Sequence, residues 1–246
     1  MLDAEQDGIT ADQAEAWCLH VEAAFGRPVA VYTGAFVAGG SIWKSTRIYD
    51  GRRPRVFCAS MGDWLDLDAP LDEFVRLLDT IRRTPELDWL LLTKRIGNVR
   101  QLLTDTLLTM RDLASIRGQQ WPWPNVWLGV SAENQTRADE RIPDLLDTPA
   151  AIRFVSAEPL LGAIDFKNIT PKDRSEIDTL VGFDYDQGVG CDRLDWIIVG
   201  GESGPGARPM HPDWVRSIRD QCAAASTAFF FKQWGEWAPR SEERRV

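Results

Sequence analysis

Charged side chains stand where the short apolar runs of this 246-residue chain end. In chain order they are Asp3, Glu5, Lys94, Glu133, Glu158, Glu202 and Lys232. Carboxylates brought together in a low dielectric split their pKa values, so that one serves as acid while another stays ionised, unless Lys94, Arg95 and Lys232 pair with them instead. Sequence leaves both outcomes open. Asp3-Ala4-Glu5 places two carboxylates on one side of an extended segment. That spacing suits general-acid and electrostatic roles in sugar hydrolysis, or simply a solvated first strand.

The stretch Gly200-Gly201-Glu202-Ser203-Gly204-Pro205-Gly206, followed by Arg208, is dense in glycine directly after an apolar run. Glycine lets backbone N–H groups approach an anion, so Gly200, Gly201, Ser203, Gly204 and Arg208 are candidate cofactor-binding residues, with a plain tight turn as the alternative. The spacing is not the G-x-G-x-x-G of dinucleotide sites. Cys18, Cys58, Cys191 and Cys222 are far apart and form no C-x-x-C, and His20 and His211 lie in unrelated stretches, so the spacing offers neither a zinc site nor a thiol redox motif.

Positioning these groups falls to eight continuous apolar runs that read as buried parallel strands. They are Leu2 to Glu5, Val29 to Gly34, Arg55 to Met61, Trp89 to Lys94, Val126 to Glu133, Ile152 to Glu158, Trp196 to Glu202 and Ala228 to Trp234. Amphipathic stretches separate several of them. One starts at Thr10, with Gln13 at capping-box spacing, and stops at Gly26; others cover Pro70 to Thr84, Val99 to Leu113 and Trp214 to Cys222. Residues 35–54 are Gly-rich and basic, and residues 167–194 are polar and long enough for an insertion or a mobile lid. Eight strands alternating with helices in about 250 residues is the arithmetic of a single (β/α)8 barrel over 1–246, an open doubly wound sheet being the alternative. Val130-Ser131-Ala132-Glu133 is echoed by Val155-Ser156-Ala157-Glu158, as a repeated βα unit would produce.

Composition narrows the partners. A formal charge of -9 gives no support for a nonspecific grip on nucleic acid. No apolar run reaches the roughly 18 residues of a membrane span and the first ten residues are acidic, so no membrane association is expected and the cytoplasm of a bacterial host cell is the expected location. Eleven tryptophans serve packing or a flat or sugar-like ligand; Trp121, Trp123 and Trp237 are candidate exposed contacts with a partner.

The stretches VFCASMGDWLD, LDWLLLTKRIGNV, NVWLGVSAENQ, ERIPDLL, RFVSAEPLLG, DWIIVGGESGPGARPM and FFFKQWGEW, between Arg55 and Pro239, resemble the phage gene-product-37/68 family, domain of unknown function 5131. The resemblance implies a radical-SAM-like partial or full barrel of phage or prophage origin. Members carry an N-terminal three-cysteine cluster for an iron–sulfur centre that binds S-adenosylmethionine. This sequence has no such cluster, so S-adenosylmethionine is an implied ligand and an iron–sulfur centre is not expected. Residues 1 to about 54, with LDAE, QAEAWCLHVEAAFGRPVAVYTG and GGSIWKSTRIYDGRRPR, resemble an internal piece of a glycoside hydrolase family 25 lysozyme, in which Glu5 matches the acid catalyst.

Together these readings imply a mosaic with its crossover near Gly51 to Phe57. The expected function is a phage-type barrel protein binding an anionic or nucleotide-like small molecule at its strand ends. The alternatives are a peptidoglycan muramidase acting on glycan through Glu5 with Asp3 or Glu133, and a catalytically silent binding module. The oligomeric state is open.

Overall fold

The computed structural model describes residues 30–32, 55–58, 63–103, 121–172, 176–185 and 187–238. The expected strand at Leu2 to Glu5 and the helix from Thr10 lie outside them. The chain divides into two compact units, Met1–Leu128 and Gly129–Val246.

In the first unit, apolar runs with no polar alternation become inner strands because both of their faces must be covered. β1 (Ala30–Tyr32) pairs in parallel with β2 (Arg55–Cys58), and β2 pairs in parallel with β3 (Asp88–Thr93), Val56 beside Trp89 and Phe57 beside Leu90. α1 (Leu71–Arg83) starts after Pro70 and buries Phe74, Leu77, Leu78 and Ile81, while Leu71 stays exposed at the helix start. The buried Asn125 amide donates to the carbonyls of Ile81, Thr84 and Leu87, and Trp89 N–H donates to the Asn125 carbonyl at 2.8 Å. One residue thus satisfies the open carbonyl end of α1 with its side chain and sets the start of β3 with its backbone carbonyl. A helical stretch described over 99–103 follows a short 3₁₀ turn at Ile96–Asn98.

β4 (Val126–Ser131) carries the chain into the second unit, where Ala132 N–H donates to the Ser156 carbonyl. There β5 (Ile152–Ala157) pairs in parallel with β9 (Trp196–Gly200), and β9 in parallel with β10 (Ala228–Gln233). Phe154 is fully buried with its ring against the backbone of Gly129; a Cβ on Gly129 would lie 2.3 Å from that ring.

α2 (Gln135–Leu146) is absent from the expected helices although its signals are present. Asn134 accepts from Arg137 N–H at 3.1 Å as the N-cap, but charged residues and the internal Pro143 obscure the apolar face of Ala138, Ile142, Leu145 and Leu146. The buried Arg153 guanidinium donates to the carbonyls of Leu145 and Thr148 and pairs with Asp192, which closes the far end of α2. α3 (Pro212–Ala225) is capped by His211, whose Nδ1 accepts from Asp213 N–H, and ends at Ser226 in the left-handed region.

Residues 167–194 take the first of their two expected forms, a folded insertion. β6 (Ile177–Asp178), β7 (Phe183–Asp184) and β8 (Val189–Gly190) make a small antiparallel meander. Phe166, Ile169, Ile177, Leu180 and Leu194 are buried beneath it. The acids that make the segment look solvated hold turns instead: Asp178 Oδ1 accepts from the N–H groups of Leu180 and Val181, and Asp184 Oδ1 from Gln187. The expectation of three exposed tryptophans is corrected. Trp123 is buried beside the half-buried Trp121, and only Trp237 of the three is exposed.

A closed eight-stranded barrel is not shown among the described residues; what is shown is an α/β chain with parallel strands in each unit. Gly129→Ala tests the packing at the start of the second unit. Its methyl group cannot be placed without moving the Phe154 ring, so chemical denaturation is expected to show a loss of about 1–3 kcal/mol.

Candidate functional site

In parallel α/β units the loops at the carboxyl ends of the strands are free to carry ligands. In the second unit these ends bring together most of the expected residues. Glu158 follows β5, and its Oε2 accepts from Lys232 Nζ of β10 at 3.0 Å. Both side chains are about four-fifths buried, at 20% and 18% exposure. Gln233 Nε2 donates to Ser203 Oγ at 3.0 Å and, more weakly, to Glu158 Oε1 at 3.4 Å. Gly200 lies against the same carboxylate, where a Cβ would come within 2.9 Å of Glu158 Cδ. The loop after β5 is tied on both sides, since Leu160 N–H donates to the Gly200 carbonyl and Leu161 N–H to the Glu133 carbonyl.

Glu133, after β4, pairs with Arg141 Nη1 at 3.0 Å, and the same nitrogen donates to the Ser131 carbonyl. Arg141 is a site residue that sequence reasoning missed. It sits two turns into α2, and recognising that helix from Asn134 would have aimed it back at Glu133.

The glycine-rich segment departs from the anion-cradle reading. Arg208 donates its backbone N–H, Nε and Nη2 to the Glu202 carboxylate at 2.7, 2.8 and 2.7 Å. The guanidinium expected to hold an anion therefore already holds one of the protein's own. Hydrogen bonds from Arg208 bring Glu202 down from its ordinary 4.5 to about 2, and Glu133 adds to the negative field on Arg208. Gly201 and Gly235 make the crossing on which the segment rests: a Cβ on Gly201 would lie 1.9 Å from the Trp234 carbonyl oxygen, and one on Gly235, at φ +76°, 2.1 Å from that of Glu202.

Each of the three strand-end glutamates in this unit thus has a named cation: Glu133 with Arg141, Glu158 with Lys232 and Glu202 with Arg208. This is the ion-paired outcome of the two that the sequence left open. Lys94 belongs to the first unit and is exposed; its backbone N–H donates to Asp63 Oδ2, while Thr93 Oγ1 donates to Asp63 Oδ1 at 2.6 Å. Arg95 pairs there with Asp66 at 3.2 Å. Asp3 and Glu5 lie outside the described residues, as do Cys18 and His20.

Among the described residues the thiols do not form an iron–sulfur ligand set. Cys58 is buried in β2, burial pushes the Cys222 thiol in α3 up to about 12, and Cys191 is exposed in the insertion with its thiol also raised by partial burial. Among the described residues no group of three or more His, Cys, Asp or Glu could hold a metal ion. No helix among them is long and apolar enough to cross a membrane.

The Glu202 contact has a defined pH signature. A carboxylate held below its ordinary value stabilises the fold above that value and loses its contribution as pH falls toward the lowered one. The thermal stability difference between the wild type and Glu202→Gln is therefore expected to be constant from pH 7 to about 5. It should shrink between about 4.5 and 2. Melting curves across that range check it.

No curated protein and no solved structure matches the chain in the comparisons made. A family model described as "Protein of unknown function (DUF5131)" matches residues 21–246. The match begins well before the crossover expected near Gly51 to Phe57 and takes in β1, every later strand and all three numbered helices. With more than nine-tenths of its length matched, the chain belongs to the DUF5131 family.

Proposed function

We propose that this member of the DUF5131 family binds a small nucleotide-like molecule carrying both a cationic and an anionic group, at the carboxyl ends of β5, β9 and β10. S-adenosylmethionine is the ligand that the resemblance names. An eight-stranded barrel of phage or prophage origin is part of the same proposal.

The observation that carries it is the Glu158–Lys232 pair, held by two strand ends with the bare backbone of Gly200 beside it. A simple anion drawn to Lys232 would have to break that bond and would then face the abandoned carboxylate, an unfavourable exchange in a partly desolvated place. A ligand with both charges exchanges one pair for two, its ammonium taking Glu158 and its carboxylate taking Lys232. Ser203 and Gln233 offer neutral hydrogen-bonding groups alongside. The chain's own residues supply binding and orientation; the thiols described support no radical step through an iron–sulfur centre.

Calorimetric titration with S-adenosylmethionine, and with adenosine monophosphate as an anion lacking the ammonium group, tests the proposal. Binding of the first and not the second is expected, weakened about tenfold or more in Lys232→Met, as the loss of one charge-assisted hydrogen bond predicts. Failure of S-adenosylmethionine to bind, or binding indifferent to Lys232→Met, would overturn it.

A further inference from the structure

The segment between Glu202 and Arg208 is fastened in an uneven way. Its two ends are clamped together by the Glu202–Arg208 bonds, and its middle turns through Gly204 at φ +95° and Gly206 at φ +79°. Among the described residues, nothing lies within 4 Å of where a side chain would begin at either glycine. The middle of the loop is thus not packed at those positions. Two contacts hold it down: Ser203 Oγ accepts from Gln233 Nε2 at 3.0 Å, and the Ala207 carbonyl accepts from Trp237 Nε1 at 2.7 Å.

Gln233 is the unusual member. An amide nitrogen carries two hydrogens, and here one goes to the loop and the other to Glu158. With both donated, the amide plane is fixed; with one partner removed, it turns and its grip on the other weakens.

We propose that the Gln233 amide couples residues 203–207 to the Glu158–Lys232 pair, making that segment a strap that loosens when Glu158 is engaged by another cation. The proposal rests on the reading above for what engages Glu158. The coupling itself belongs to the ligand-free chain and is measured there. By reciprocity, a strap lifted from Ser203 also leaves Glu158 with one donor fewer and more open to a new one.

The reporter is the Trp237 indole N–H, whose solvent exchange by NMR in the full chain reads how firmly Ala207 is held; Trp237→Phe assigns its resonance. Ser203→Ala is expected to speed that exchange about threefold, on the scale of one net hydrogen bond. Glu158→Met is expected to speed it similarly, and to add nothing in a Gln233→Met background. Should Glu158→Met lose its cooperative thermal transition, Glu158→Gln, which keeps the shape and removes the charge, is expected to act in the same direction. Exchange unchanged in the Glu158 variants while Ser203→Ala speeds it would overturn the coupling, as would no effect of Ser203→Ala at all. Failure of S-adenosylmethionine to bind would remove the reading above and leave these rates standing.

Discussion

β4, β5 and β9 each end within two residues of a glutamate, and each of these glutamates is held by a cation of its own. Glu158, just after β5, and Lys232, in β10, belong to the two strands that flank β9, so their bond spans the middle strand from neighbour to neighbour. Removing one partner would strand a charge in a partly desolvated place, which costs far more than the pair contributes when intact. The lysine and the glutamate are therefore held to each other by necessity, and the loops after β5, β9 and β10 are organised around that bond.

The backbone crossing beside it is the second constraint. Gly201 passes against the Trp234 carbonyl and Gly235 against that of Glu202, too close for any side chain. Gly201 N–H donates to the Gln233 carbonyl and Glu236 N–H to the Glu202 carbonyl, so the two loops exchange hydrogen bonds as strands do, past where the strands end. This extension brings Ser203 to Gln233 and delivers Arg208 to Glu202. The glycine richness of 200–206 is explained in part by this contact between the protein's own loops, and only the later glycines, at 204 and 206, stand clear of it.

Much of the strand pattern was legible because fully buried parallel strands write themselves as unbroken apolar runs; Trp196–Gly200 and the Trp89–Leu92 stretch of β3 need no arbitration. The strand ends were legible for the same reason, since the first polar residue after such a run marks its mouth. What the sequence withheld was pairing. Nothing in the spacing says whether Arg208 waits for a ligand or answers Glu202, because the same two residue types serve both ends. α2 was hidden by its charges and by Pro143, and with it Arg141. The strands inside the insertion were hidden by aspartates that read as solvated but fold inward onto backbone N–H groups, while Trp123, for which packing and an exposed contact were both open, packs as core.

The insertion is pinched shut where it leaves the sheet. Thr179 bonds through its hydroxyl to the Phe166 carbonyl and through its own carbonyl to Leu194 N–H, joining the outgoing and returning chain across one residue. Beyond that neck the excursion is tied down again, Asp192 pairing with Arg153 and Thr170 N–H donating to Asp139 Oδ1, and lengthening the turn between β7 and β8 would cost only about 0.6 kcal/mol for each doubling of loop length. The neck makes the turn between β7 and β8 the place where added residues would leave the distance from β5 to β9 unchanged.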